Sequence, residues 1–509
     1  MEQDRMKSLF GWRGLAALSV VATILLVFGQ PLPSLAGSKP TQPPSAGPFN
    51  KVWTFALSQF AQASQSGNSV TQLSDGTIVV GGNDGYQPNQ CSTGGQPFRG
   101  GAWLVAVTPD TGQNVFQKLY STCANAAQST SAVSKAPDGG IILAGGDFDN
   151  PACGNGCGWF AKLSSQGSIL WQHDLTGADA AGAGQLVTLP DGSSVTAGNE
   201  TTTPTFIHQA LIQKITADGS LQWSRTYSET DNSFPGAFSG GNFTFNSVQP
   251  TADGGFIASG VADAKFSSGY ANVLVVMKLD ASGAAQWTKV YYGTNWLSAP
   301  AGFGPYPIFP RADGFVLSGT VQASSYPFER RAFLLKLDAQ GSIVWQKGYG
   351  GDNGGYNKTS EQAGAVATAD GGYVMAGMSN VFQQAANGWI MKADGAGNIV
   401  WQKSYNGLTS NAGNLFNDII QTSDGGFAAT GESWTPDPTY GGPGLWLTKI
   451  GPDGNIGTCT CAQDTNATAQ ALDLNVFPAS FTGAPSGLAF SGVGIQDKAT
   501  SISPTTIFP

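Results

Sequence analysis

The stretch TADGGFIASG at residues 251–260, followed by VLVVMKLDASGAAQWTKVYYG at 273–293, recurs in related form seven times along the chain. Each copy contains an Asp-Gly turn, an apolar strand ending in glycine, a second strand, another turn and a Trp-x-Lys-x-Tyr-like strand. The turn aspartates are Asp75, Asp138, Asp191, Asp253, Asp313, Asp370 and Asp424. A period of about 50–60 residues with four strand-like segments predicts the blade of a β-propeller.

The aromatic residue of the last strand shows how the ring closes. It occurs in six copies, as Phe116, Trp171, Trp223, Trp287, Trp345 and Trp401. The seventh copy lacks it, but Trp53 precedes the first turn aspartate at the matching distance. We therefore predict an all-β, seven-bladed β-propeller of four-stranded antiparallel blades over residues 50–458. Its N-terminal strand, residues 50–57, completes the last blade and removes the open edges of the ring.

Composition fits a single large domain and argues against nucleic acid as a partner. The 509 residues include 70 glycines, which suit many short strands joined by tight turns. The net charge is −9 and no basic stripe occurs. Since neutralising phosphates requires clustered Lys and Arg, we expect no nucleic-acid binding.

Residues 1–36 have the pattern of an export signal. Arg5, Lys7 and Arg13 precede the apolar run 15–28, and small residues end at Ala36. The alternative is an uncleaved anchor, but the apolar run is short for a membrane span. Residues 37–49 form a Pro/Ser-rich linker. We expect a secreted, periplasmic or cell-surface protein whose mature chain has no membrane span.

Six cysteines in an exported chain favour disulfides. We predict the pairs Cys91–Cys123 and Cys153–Cys157, the second within the loop CGNGC. Cys459 and Cys461 form a C-x-C pair whose direct bond would be strained. A zinc site made from these cysteines is the alternative; we predict no metal site.

Residues 459–509 carry neither an Asp-Gly turn nor a tryptophan. They are predicted to form an extended C-terminal tail. Its apolar positions, such as Leu472 and Phe481, suggest that part of it packs on the propeller or on a partner.

The two faces of the predicted ring differ. With strands A to D running outward from the axis, the A–B and C–D turns leave from one face and are short in every copy. The B–C loops and D–A crossovers leave from the other, and all length variation lies there, so this variable face is the candidate binding surface. Its loops are rich in aromatic residues that could stack on sugars or anchor proteins. The predicted ligand-binding residues are Trp296, Tyr306, Tyr326 and Trp434; the alternative is that such residues pack the loops.

The sequence shows little that could carry catalysis. Six residues before the turn aspartates, on the inner strands, stand Ser69, Ala132, Gln185, Ser247, Pro307, Gly364 and Asp418. Only Asp418 is ionisable, so no catalytic residue is predicted. His173 and His208, the two histidines of the chain, are taken as ordinary surface or edge residues. Asp147, Asp149 and Asn150 could offer oxygens to calcium, but their loop matches a calcium loop poorly. No cofactor is predicted, with calcium left open.

The repeat is similar to that of a family of exported, mostly prokaryotic propeller-repeat proteins of uncharacterised function, with TxDGGYxxxG…KxDxxGxxxWxKxYGG units. Its Gly-Gly pairs resemble kelch repeats, and LDAQGSIVWQKGYGG resembles the tryptophan-docking motif of pyrroloquinoline-quinone dehydrogenases. Those enzymes generally have eight blades, a disulfide between adjacent cysteines and a calcium ion held by acids. This chain has seven copies, no Cys-Cys pair and no such acid set. The resemblance therefore implies the fold but transfers no catalytic residue.

The sequence favours a secreted or cell-surface protein that binds a polysaccharide or a protein without catalysing a reaction. The alternatives are an extracellular enzyme, either a quinoprotein-like oxidoreductase or a carbohydrate-active hydrolase or lyase, and a structural module of an envelope or matrix.

Overall fold

All regular elements in the described part of the chain are β-strands. The computed structural model describes residues 53–57, 65–84, 101–121, 128–147, 156–176, 180–202, 207–231, 237–266, 269–293, 296–298, 306–323, 329–350, 360–380, 387–405, 413–434, 443–456, 462–465, 468–472, 475–485, 489–492, 496–499 and 505–508. Across these residues no helix is long and apolar enough to cross a lipid bilayer.

The strands form seven antiparallel blades, numbered here in chain order, each with strands A to D from the axis outward. Blade 1 consists of β2 (Gln65–Gln72), β3 (Ile78–Asp84), β4 (Gly101–Val107) and β5 (Asn114–Ser121). Blade 2 consists of β6 (Gln128–Lys135), β7 (Ile141–Asp147), β8 (Cys157–Leu163) and β9 (Ile169–Thr176). Blade 3 consists of β10 (Ala180–Thr188), β11 (Ser194–Thr202), β12 (Ile207–Ile215) and β13 (Leu221–Asp231).

The remaining blades follow the same order. Blade 4 consists of β14 (Ala237–Pro250), β15 (Phe256–Phe266), β16 (Gly269–Leu279) and β17 (Ala285–Tyr292). In blade 5, β18 (Trp296–Ser298) and β19 (Ile308–Arg311) both pair with β20 (Gly314–Ala323), followed by β21 (Arg330–Leu337) and β22 (Ile343–Gly350). Blade 6 consists of β23 (Ser360–Ala367), β24 (Tyr373–Ser379), β25 (Asn387–Ala393) and β26 (Ile399–Tyr405).

Blade 7 is completed from the other end of the chain. Its strands β27 (Asn414–Gln421), β28 (Phe427–Trp434) and β29 (Pro443–Ile450) are followed by β1 (Trp53–Leu57). Strand β1 pairs antiparallel with β29, with Trp53 opposite Lys449 and Leu57 opposite Leu445. The predicted seven-bladed propeller closed by the N-terminal strand is confirmed.

The C-terminal tail adds an outermost strand to every blade. Its strands, here called the C-terminal belt, are β30 (Ala462–Asp464), β31 (Thr468–Ala471), β32 (Asn475–Pro485), β33 (Ala489–Gly492), β34 (Gln496–Ala499) and β35 (Thr505–Phe508). They pair antiparallel with the outer strands of blades 6, 5, 4 and 3 together, 2, 1 and 7, in that order. The belt thus runs against the direction in which the blades follow one another. Strand β35 pairs with β1, so the N-terminal strand lies between β29 and the end of the belt.

Neighbouring blades are joined by the aromatic residues that recur in strand D. In blade 5, Tyr349 Oη donates a hydrogen bond of 2.7 Å to the carbonyl oxygen of Gly397 in the C–D turn of blade 6. The Trp345 ring lies against the same glycine, so that an added Cβ would meet it at 3.0 Å. Four other seams repeat the tyrosine bond, namely Tyr120–Gly167, Tyr227–Gly283, Tyr291–Gly341 and Tyr405–Gly454. These tyrosines and tryptophans form the packing between blades.

Candidate functional site

The face that carries the A–B and C–D turns, called the turn face, repeats the same glycine turn and the same ion pair in several blades. In blade 4, Gly254 has φ +81° and donates its N–H to the Thr251 carbonyl oxygen, which closes the A–B turn. Lys278 of strand C reaches Asp253 of this turn at 2.8 Å. Its hydrogen bond is the main reason why the pKa of Asp253 falls to about 2. Four more blades contain the pair, as Lys162–Asp138, Lys336–Asp313, Lys392–Asp370 and Lys449–Asp424.

At the axis, the inner strands share a β-bulge that frees side chains for bonds between blades. In blade 1 the register with strand B shifts between Gly67 and Ser69, so Asn68 is the extra residue. Asn68 Nδ2 donates to the Thr130 carbonyl oxygen of blade 2 at 2.8 Å, and Ser69 Oγ accepts the N–H of Val133 at 3.3 Å. The register shifts at the equivalent place in blades 2, 3, 4, 6 and 7.

Asp418, the ionisable residue predicted on the inner strands, belongs to this system. Its side chain is fully buried, and Oδ2 accepts the N–H of Val70 of blade 1 at 2.9 Å. Oδ1 accepts the N–H of the following residue, Ile419, at 2.8 Å. Asp418 therefore closes the ring at the axis as a hydrogen-bond acceptor.

The four predicted ligand-binding aromatics differ in their placement. Trp296 lies in β18 and pairs with Ala323, and Trp434 ends β28 opposite Pro443, both at the variable-face ends of their strands. Tyr326 lies outside the described residues. Tyr306 is 2% exposed and packs against Phe333 in the core between blades 4 and 5. Because both sides of its ring are covered, Tyr306 is a core residue and has no face for a ligand.

Of the predicted disulfide cysteines, Cys157 lies in the described part of the chain. It begins β8, is buried and is disulfide-bonded. Cys91, Cys123 and Cys153 lie outside the described residues, so both predicted pairings remain predictions. Asp149 and Asn150 of the candidate calcium loop also lie outside them. Among the described residues, no three His, Cys, Asp or Glu side chains are grouped to hold a metal ion.

A polar network that the sequence analysis missed joins blades 3 and 4 on the variable face. His208 Nδ1 lies 2.7 Å from Thr201 Oγ1 and 3.1 Å from Asn199 Nδ2. The backbone N–H of His208 donates to Asn242 Oδ1 of blade 4 at 3.4 Å. Burial lowers the pKa of His208, and the charge of Asp263 opposes this shift.

The network continues along blade 4 through Asp263. One carboxylate oxygen accepts a bond of 2.9 Å from Asn242 Nδ2, and the other accepts one of 2.7 Å from Asn272 Nδ2. Here blade 4 is taller than its neighbours, because β15 and β16 have 11 residues each, against 9 each in β11 and β12 of blade 3 and 10 and 8 in β20 and β21 of blade 5. The two extra residues relative to blade 3 extend blade 4 by about 7 Å on the variable face. No sequence signal pointed to this network, since the 62 residues between Asp191 and Asp253 are close to the 63 between Asp75 and Asp138.

A buried carboxyl group lies in the seam between blades 7 and 1. Burial raises the pKa of Glu432 to about 8, and Oε2 has no hydrogen-bond partner among the described residues. Glu432 follows Thr430 by two residues and so shares its side of the sheet. Thr430 Oγ1 would lie 2.0 Å from a Cβ added at Gly67 of blade 1, which identifies that side as the one facing blade 1.

Comparison with known proteins gives similarity to solved structures alone: no family model and no curated protein sequence matches the chain. It is similar to Kuenenia stuttgartiensis hydrazine synthase, with 11% identity, a TM-score of 0.42 and coverage of 76% of this chain and 96% of the other. An α-L-arabinofuranosidase of Fusarium graminearum has 9% identity, a TM-score of 0.40 and coverage of 79% and 98%. A protein of unknown function from Dyadobacter fermentans has 11% identity, a TM-score of 0.39 and coverage of 78% and 98%. At these identities and TM-scores, the similarities carry no inference about activity.

Proposed function

We propose that this chain is a secreted or cell-surface β-propeller that binds a polysaccharide or a protein through its variable face without catalysing a reaction. The export signal predicted for residues 1–36 supports the location. The observation that carries the binding role is the contrast between the two faces. Ion pairs and docked tryptophans recur on the turn face from blade to blade, whereas the variable face carries the connections of unequal length and the polar network of blades 3 and 4.

The scaffold suits such a role because its edges are paired. Strand β1 closes the ring, and the C-terminal belt pairs with the outer strand of each blade. A rigid ring can hold long loops at fixed distances from one another, which lowers the entropic cost of binding. At the axis the carboxylate of Asp418 is engaged by two backbone N–H groups, which supports a structural role for that acid.

The test is binding of the purified mature chain to an array of glycans and extracellular proteins. Changing Trp296, Tyr326 or Trp434 to Ala should each weaken binding to the captured ligand by about 1–3 kcal/mol if the ring stacks on it. Tyr306→Ala is the matched control for a packing role of an aromatic residue. It should lower the melting temperature, because it removes a buried ring.

Two results would contradict the proposal. One is the release of reducing sugar or an oxidised product from a captured polymer, which would establish the enzyme alternative. The other is an array on which the folded wild-type protein retains no ligand.

A further inference from the structure

We infer that the polar network between blades 3 and 4 is a subsite for a neutral, hydroxyl-bearing sugar unit. This inference rests on the proposed function and names the ligand class and the place where it binds. The residues concerned are His208, Asn242 and Asp263, with Asn199, Thr201 and Asn272 holding them in place. Their side chains lie at the variable-face ends of β11, β12, β14, β15 and β16.

The His208 ring is oriented by two side chains of β11. Asn199 Nδ2 and Thr201 Oγ1 lie 3.1 Å and 2.7 Å from Nδ1, and both can donate to its single lone pair. We assign Nδ1 as the acceptor. The proton of the neutral imidazole is therefore on Nε2, which makes no hydrogen bond within the described residues. The His208 side chain is half-buried, so part of the residue remains open to solvent. In the proposed subsite, Nε2–H donates to the ligand.

Asp263 supplies the matching acceptors. Each of its oxygens already accepts one amide hydrogen, from Asn242 or Asn272, and each keeps lone-pair capacity for a ligand hydroxyl. The two amides hold the carboxylate plane in one orientation. The Asn242 side chain is exposed and stands between Asp263 and the backbone N–H of His208. Asn242 thus links the His208 backbone to the Asp263 carboxylate on the variable face.

The charges of the network favour a neutral ligand. A carboxylate without a Lys or Arg partner among the described residues would repel an anionic group. A metal ion would require further oxygen or nitrogen ligands, and no group of three metal-binding side chains occurs in the described part. Sugar hydroxyls donate and accept at once, so one sugar unit can satisfy both His208 Nε2–H and Asp263. Strands β15 and β16 of blade 4 continue beyond the paired Asp263 and Asn272 on the variable face.

The experiment uses isothermal titration of the mature chain with neutral cello-, xylo-, manno- and galacto-oligosaccharides, and with sulfated and sialylated oligosaccharides. We expect one neutral series to bind and the anionic ones to bind at least about tenfold more weakly. Asp263→Asn and Asn242→Ala should each weaken the neutral ligand about tenfold or more. Asn242→Ala changes an exposed side chain and so tests the site even if Asp263→Asn lowers stability. Asp394→Asn, the same change in a turn-face C–D turn, is the matched control and should bind like the wild type.

A spectroscopic readout locates the ligand. The chain contains two histidines, so His173→Gln leaves the imidazole signals of His208 alone in the NMR spectrum. The bound neutral oligosaccharide should shift them. A neutral oligosaccharide could bind with the same affinity to Asp263→Asn, to Asn242→Ala and to the wild type, without shifting the His208 signals. In that case the subsite is wrong while the proposed function stands. Preferred binding of the sulfated or sialylated oligosaccharides, or binding of proteins alone, also overturns the subsite. Absence of any ligand overturns the proposed function with it.

Discussion

Asp418 Oδ2 accepts the backbone N–H of Val70 at 2.9 Å and so joins the last blade of the ring to the first. Equivalent bonds join other blades through neutral side chains, from Val133 N–H to Ser69 Oγ and from Val248 N–H to Gln185 Oε1. Blade 6 has Gly364 at this position and offers no side chain to blade 7. The second oxygen of Asp418 accepts the N–H of Ile419, the group that a side chain from blade 6 would otherwise have met.

Asp418→Asn should therefore destabilise the ring more than a change at a neutral seam. An amide retains one acceptor oxygen and places an NH₂ group where the second N–H needs an acceptor, so we expect a loss of about 2–4 kcal/mol. Ser69→Ala, at the same position in blade 1, should cost about 1 kcal/mol. Chemical denaturation of both variants provides the comparison. Equal losses would mean that the charge at the blade 7–blade 1 seam has no special part in closing the ring.

The C-terminal belt should contribute stability and prevent self-association. Deleting residues 462–509 leaves the outer strands of all seven blades with unpaired backbone groups, which can pair with another chain. It also removes the buried Leu472 from the core between blades 4 and 5. We expect a lower melting temperature and higher-order species in light scattering. Deleting residues 500–509 alone, which removes β35 from blade 7, should have a smaller effect. A monomeric truncated chain with an unchanged melting temperature would show that the belt is dispensable.

The sequence predicted the blades well because each strand has its own pattern and its own turn. It also predicted ring closure, since a strand missing from the seventh copy was found before the first. The sequence predicted an extended tail that packs on the propeller or on a partner. Its pairing with every blade could not be predicted, because pieces such as Ala462–Asp464 pair through the backbone and carry no repeat. The His208 network could not be predicted either, as it depends on which residues of two blades reach the same height. Tyr306 was predicted among the aromatic residues of the variable-face loops, although its ring is in the core.

The docking of tryptophan on glycine can be tested within one blade. Gly371 and Gly397 of blade 6 have φ values of +86° and +76°, so alanine is strained at either position. A Cβ at Gly371 would meet nothing within 4 Å, whereas one at Gly397 would lie 3.0 Å from the Trp345 ring. Gly371→Ala should cost about 1 kcal/mol, and Gly397→Ala about 1–3 kcal/mol more. Denaturation curves measure the difference. Equal losses of stability would show that the Trp345 ring can move away from the added methyl group without destabilising the fold.

The buried Glu432 should make stability depend on pH. Its pKa is about 8 in the fold, against an ordinary value of 4.5, because burial penalises the charged form. Between these two values the unfolded chain has released the proton that the folded chain retains, so the free energy of unfolding falls as pH rises from 4.5 to 8. Above pH 8 this contribution is constant, and below pH 4.5 it vanishes.

Glu432→Gln should remove this dependence while keeping the shape of the side chain. A neutral side chain occupies the equivalent position in blade 1. Asn83 lies eight residues after Asp75, as Glu432 lies eight residues after Asp424. Asn83 Oδ1 accepts the N–H of Thr130 of blade 2 at 2.9 Å. We expect the variant to be more stable than the wild type by about 2–4 kcal/mol at pH 8 and nearly equal to it at pH 4.5. Comparing the two proteins at each pH cancels the effect of the other carboxylates. A gain that is the same at both pH values would show that Glu432 does not titrate differently in the folded and unfolded chains.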